Sequence, residues 1–228
     1  ADFDLYVKLS RGHYFLADGF HALSGDNEKR DAHYTAGLDW AEKAIALAAP
    51  EFVAAVKNGE KHADAIKKAP KDAIPALYWY STNMGKWAGA KGFATILRYK
   101  DDIKATMLHV LALDPGGEFF HGAVYRYFGA YEAKTAGLAG GSLEKSEENF
   151  KKAIEIAPGY LGTKVLYADY YCSKKQNKEL FEKLLKEVVA AEVDGESEIA
   201  HENRIEQKKA QALLAVSLQA HHPKMTLR

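Results

Sequence analysis

One cysteine, Cys172, in 228 residues excludes an intrachain disulfide and any zinc cluster built on thiolates. Prolines number only 6, while alanine supplies 37 residues, a bias toward helix. No apolar run approaches the roughly 18 residues that a membrane-spanning helix needs. The longest, Ala44 to Val56, is broken by Pro50 and Glu51. Charge of one sign is also missing: 31 Lys and Arg balance 31 Asp and Glu, with no clustered basic stripe. That excludes the electrostatic footprint of a nucleic-acid binder. No basic-then-apolar leader stands at Ala1, so the chain is expected to be cytosolic or already trimmed. Phosphate-loop, dinucleotide and nucleophile-elbow motifs are absent too, Gly140-Gly141 lacking the Lys-Ser/Thr that phosphate binding wants.

What remains is ample for a packed core. Hydrophobic residues make up 47% and charged residues 27%, the proportions of a soluble globular chain rather than a disordered one. Almost every segment carries a helical period. Tyr6, Leu9, His13, Leu16, Phe20 and Leu23 share one face of a first helix that Gly25-Asp26 stops. A second is predicted from Glu28 to Ala48, with Leu38, Ala41, Ile45 and Ala48 inward. Short helices near 51–57 and 60–69 precede a fifth from Asp72 to about Ala88. Further helices are predicted at 93–113, 119–137, 143–157, 160–175, 178–193 and 197–220, with Ser142, Asn177 and Ser197 as N-caps. The expected fold is all-α, with about 10–11 helices.

Repetition sets the architecture. Three helices end alike, at Ala46-Leu47-Ala48-Ala49-Pro50, Leu111-Ala112-Leu113-Asp114-Pro115 and Ile154-Glu155-Ile156-Ala157-Pro158. Ser146, Phe150, Ala153 and Pro158 fit the second-helix spacing of a tetratricopeptide repeat, and Tyr167, Ala168 and Tyr171 the first helix of a next unit. Small residues let paired helices approach, and proline ends each unit. The expectation is a single domain over 1–228: N-terminal helices to 70, degenerate helix pairs over 71–195, and a capping helix over 196–220. An irregular bundle with recurrent proline stops is the competing architecture.

The segment Ile74 to Ala88 gathers Tyr78, Trp79, Tyr80 and Trp87 around Asn83 and Lys86. Tyr80, Met84 and Trp87 share one face and Trp79, Asn83 and Lys86 another. A helix apolar on both sides must be covered on both sides or line a groove. If a ligand enters, it is expected here, with Trp79 and Trp87 as walls, Tyr78 and Asn83 as orienting hydrogen-bonders and Lys86 as a carboxylate's countercharge. Tyr125 and Arg126 would close the other side. Packing is the alternative for all of these aromatics, and Arg126 has the option of pairing with Glu118 or Glu132. Tyr127, Tyr131, Tyr160, Tyr167, Tyr170 and Tyr171 likewise suit either a concave surface or packing.

No metal site and no catalytic group is expected. His201-Glu202 lacks the second histidine of a zinc-protease helix. His13, His21, His33, His109 and His121 fall on separate helices and read as core or surface histidines, and His221-His222 as a tail. Cys172 reads as inert packing.

Three stretches stand out together: Ala73-Ile-Pro-Ala-Leu-Tyr-Trp-Tyr-Ser-Thr-Asn-Met-Gly-Lys-Trp-Ala88, the run from Gly140 to Pro158 followed by Leu166-Tyr167-Ala168, and Glu202-Asn203 with Lys208-Lys-Ala-Gln-Ala-Leu-Leu214. In this order they resemble the T-component family of TRAP (tripartite ATP-independent periplasmic) transporters. The likeness spans roughly 70–215. It implies a tetratricopeptide-like periplasmic lipoprotein, without enzyme activity or cofactor, that forms trimers and docks a TRAP substrate-binding (P-component) protein. Small apolar or amphipathic carboxylates are the ligands it suggests. The lipid-bearing cysteine of the family is not at Ala1 and would precede it in the precursor. A peptide-gripping helical scaffold is the alternative function, and a helical hydrolase or lyase with a scattered site a third.

Overall fold

The structure is a computed structural model describing residues 2–137 and 140–221. It is all-α: 11 helices account for 81% of it, and no strand occurs among the described residues. We number them α1 (3–24), α2 (Asn27–Ala48), α3 (Pro50–Lys57), α4 (62–68), α5 (Ile74–Lys91), α6 (Phe93–Leu113), α7 (Ala123–Thr135), α8 (Leu143–Ile156), α9 (162–175), α10 (Lys178–Ala190) and α11 (Ala200–His221). Of the expected His221–His222 tail, α11 takes in His221, and His222 lies outside the described residues. No helix is long and apolar enough to cross a membrane among the described residues. The chain divides into two compact units, Ala1–Phe119 and Phe120–Arg228.

The helix stops are built as their shared sequence predicts. Ala49, Asp114 and Ala157, each before a proline, have nearly the same backbone: φ/ψ of −134/55, −133/63 and −142/77. Proline's ring disfavours αR in the residue before it, and each of these helices ends there. The caps at Ser142 and Asn177 also form, their side-chain oxygens accepting from the amides of Lys145 and Leu180 at 3.2 and 3.1 Å. Ser197 instead accepts from Ile199 in the turn before α11.

In the first unit, α1 and α2 form an antiparallel hairpin. Tyr6 meets Trp40, Ser10 meets Gly37 and His13 meets His33, one number rising as the other falls. α5 lies against α2 in the opposite sense, Asn83 beside Gly37 and Lys91 beside Asp31. α6 packs on α5's other side through Tyr99 against Trp87. The second unit pairs α7 with α8 and α8 with α9, as Gly129–Ser146 and Phe150–Tyr167 show. Its core joins Phe150, Leu161, Tyr167, Tyr171, Leu185 and Val188.

One expectation for α1 is corrected. Leu16, Phe20 and Leu23, expected to share one face with Tyr6, Leu9 and His13, are 39, 45 and 41% exposed while those three are half-buried. The cause is a π-helical turn over Leu16–His21. Its extra residue rotates every later position by about 100°, bringing Ala17 and Gly19 inward instead. α9 carries the same device over Tyr167–Cys172. Both π turns are followed by a left-handed residue, Gly25 or Gln176, and then an Asp26 or Asn177 cap.

Candidate functional site

α5 is covered on both sides, as a helix apolar all round requires. Trp79, Asn83 and Lys86 face α1 and α2, while Trp87 meets Tyr99 of α6 with ring centroids 6.0 Å apart. Burial pushes the Tyr80 phenol up to about 12, with Glu42, Tyr99 and Asp102 adding to the shift.

Toward α1 and α2 a mixed seam forms. The Trp79 indole, 4% exposed, lies 5.5 Å from Tyr14 and 5.1 Å from the edge-on ring of Tyr78, which in turn meets Phe119 at 5.5 Å. Lys86 Nζ donates to Asp18 Oδ1 at 2.5 Å, and the Tyr34 hydroxyl donates to the same oxygen at 3.2 Å. Burial raises the Tyr14 phenol well above its ordinary value, and the Asp18 charge adds to it. Tyr14, Asp18, Tyr34, Trp79 and Lys86 thus form one aromatic-walled ion pair. The Lys86 ammonium already has a carboxylate.

Asn83, expected as an orienting hydrogen-bonder, is 0% exposed. Its Nδ2 donates to Trp79 O at 2.8 Å and to Ser10 Oγ at 3.3 Å, and Ser10 Oγ donates to Gly37 O at 2.8 Å. Three helices meet at this link, which closes because Gly37 has no side chain. A Cβ there would sit 2.5 Å from Asn83 Oδ1. The second unit repeats the device with Ser146 Oγ donating to Gly129 O at 2.7 Å.

Tyr125 and Arg126 belong to the second unit. Tyr125 lies under Lys152, whose Nζ is 5.2 Å from its ring centroid. Arg126 is 4% exposed and turns inward. Its guanidinium donates to the carbonyls of His121 and Phe120 at 2.8 and 3.2 Å, and lies 4.2 Å from the Tyr160 ring centroid. Phe120, His121 and Gly122 hold successive positive φ of 42, 59 and 73°. This strained turn displaces the start of α7 from the expected 119 to Ala123. Arg126 braces its carbonyls, and Glu132, once a candidate partner, accepts from the Ser142 amide. Tyr167 and Tyr171 are core residues, the latter donating to Glu147 at 2.6 Å. Asn203, of the Glu-Asn pair, clamps the turn before α9, donating to Gly159 O at 2.9 Å and accepting from Leu161 N at 3.0 Å.

The reading of His13, His21 and His33 as separate is also corrected. His13 Nδ1 and His33 Nδ1 are 2.8 Å apart, and His21 stacks on His33 with centroids 5.1 Å apart and planes at 12°. The signal was the short Gly25-Asp26 turn: once α1 and α2 are folded into a hairpin, these positions face one another. Among the described residues, no three His, Cys, Asp or Glu side chains converge on a metal position.

No curated protein matches the chain. The family model for the TRAP transporter T-component matches residues 14–219. That match takes in α5, the Gly140–Pro158 run and the Glu202-Asn203 motif, so the chain belongs to the TRAP transporter T-component family.

Proposed function

We propose that this chain is the non-enzymatic periplasmic accessory subunit of a TRAP transport system, docking a substrate-binding protein and relaying a small apolar carboxylate. The family match over 14–219 carries this reading. The helix pairs, proline stops and small-residue contacts support a tetratricopeptide-like array, a scaffold suited to protein partners. Exposed apolar side chains on α1 (Leu16, Phe20, Leu23) and on α6 (Phe93, Ile96, Leu97) supply material for docking and for a homotrimer. A lipid anchor on a residue preceding Ala1 would hold the subunit at the membrane.

The test is surface plasmon resonance of the full chain against a TRAP substrate-binding protein of the same organism, with light scattering for mass. Saturable binding and a mass three times 25.2 kDa are expected. Absence of binding together with a monomer mass refutes the reading. The relay has its own test, resting on Asp18 competing with a ligand carboxylate for Lys86. Asp18→Asn should strengthen binding of a fatty or aromatic carboxylate and Lys86→Ala should abolish it. Equal affinities in both variants remove α5 from the ligand path.

A further inference from the structure

Three half-buried histidines gather where the α1–α2 hairpin nears its turn. His13 Nδ1 meets His33 Nδ1 at 2.8 Å, and His21 lies flat on His33. The local fold does not need them. α9 and α10 build the same π turn, left-handed residue and Asx cap, and counting along from Leu16 and Tyr167 the matching positions hold Lys164, Cys172 and Leu184. Lys164 there pairs with Glu187, and Leu184 enters the core.

A hydrogen bond between two Nδ1 atoms needs one proton and one lone pair. That condition holds with both rings neutral and with one ring protonated, whichever ring donates. A second added proton leaves two N–H groups and two positive charges face to face, with His21 stacked behind as a third titrating ring. We infer that His13, His21 and His33 form an acid-operated latch on the α1–α2 hairpin: the second proton on the His13–His33 contact opens it and frees the π turn carrying Leu16, Asp18 and Phe20 from α2. Opening has a defined extent. The buried Ser10–Gly37 bond, backed by Asn83 of α5, contains no group that titrates and holds the helices on one side. The π turn lies on the other side and ends at His21.

The charged groups around the cluster are paired. Asp18 of the π turn meets Lys86 of α5, Asp26 of the hairpin turn meets Lys29, and Asp31 of α2 meets Arg30 and Lys91 of α5. The Tyr14 and Tyr34 phenols pack together beside them. Asp26, held low chiefly by hydrogen bonds from Lys29, also feels the His21 charge. Burial, then the charge of the neighbouring ring (His33 for His13, His21 for His33), holds both histidines below their ordinary 6.5. The contact therefore stabilises the hairpin fully above that value and is lost as pH falls through the lower folded values. The latch needs no partner to be observed, so its test is separate from that of docking.

The experiment is hydrogen–deuterium exchange of the full chain from about pH 7.5 to 4.5, corrected for the intrinsic pH dependence of exchange, with histidine ring resonances followed by NMR over the same range. In the parent, exchange over 14–25 should accelerate about tenfold on acidification, the equivalent of one pKa unit of coupling. Residues 3–10 and the histidine-free π turn Tyr167–Cys172 should change little and report any general acid effect. His13→Gln and His33→Gln each leave one ring of the pair to titrate and should cut the acceleration to less than about twofold. By NMR, His13 and His33 of the parent should titrate in separate steps below 6.5, and His33→Gln should move the His13 midpoint up toward it. The parent titration stands even if a variant folds poorly. Equal acceleration in the two π turns, no acceleration over 14–25, acceleration undiminished in both variants, or parent histidines titrating together at 6.5 would each overturn the assignment.

Discussion

Replacing one helical glycine by alanine should weaken this protein at Gly37 and strengthen it at Gly12. Alanine gains about 1 kcal/mol over glycine inside a helix, and Gly12 shows that term alone, since its added Cβ meets nothing within 4 Å. At Gly37 the same methyl would lie 2.5 Å from Asn83 Oδ1, 2.7 Å from Cγ and 2.9 Å from Nδ2. Asn83 cannot swing away, because it is fully buried and held to Trp79 O and Ser10 Oγ. Overpacking costs about 1–3 kcal/mol. Displacing the amide from its partners costs about 1–3 more, because the groups left behind are buried. Against the propensity gain, Gly37→Ala should lose about 1–5 kcal/mol, each kcal/mol lowering the melting temperature by roughly 2–4 °C at this chain length. Gly12→Ala should gain about 0.5–1 kcal/mol. Urea denaturation followed by circular dichroism measures both. A Gly37→Ala variant as stable as the parent would refute the reasoning that this close approach joins α1, α2 and α5.

Three other outcomes follow from the second unit. Burial, with Glu147 adding, pushes the Cys172 thiol up to about 12, so a thiol reagent at pH 8 should label it only after denaturation; rapid labelling of the native chain counts against the packing described. Hydrogen bonds from Lys151 and then Tyr171 hold Glu147 below its ordinary 4.5, so its contribution is present above that value and lost as pH falls through the lower folded value. Glu147→Gln should therefore be less stable than the parent at pH 7, and the gap should close as pH falls through the lowered folded value, as acid titration of the melting temperature will show. Asn203→Ala removes both bonds to the Gly159–Leu161 turn and should cost about 2–3 kcal/mol in urea denaturation, leaving the Leu161 amide buried and unpaired.

The all-α class and the helix ends were determined locally, and so were legible. A residue before proline is disfavoured in αR, and Ala49, Asp114 and Ala157 leave it in three different neighbourhoods, while Ile74 before Pro75 keeps αR at a helix start. Asx and Ser caps depend on atoms three residues apart, and the two sides of α5 follow from helical period alone. Tertiary structure decided what depends on partners distant in the chain. The π turn of α1 reversed the fate of Leu16, Phe20 and Leu23, although its resemblance to the α9 turn, Leu16-Ala17-Asp18 against Tyr167-Ala168-Asp169, was available in the residues. Asn83 was legible as a hydrogen-bonding group on α5, but nothing nearby in sequence showed that Ser10 and Gly37 would close over it. Lys86 and Arg126 read as charges awaiting a ligand, yet Asp18 and the Phe120–His121 carbonyls hold them. Periodicity specifies which side of a helix is apolar, but a polar side chain's partner is set by helix pairing, and only the folded chain brings His13 to His33.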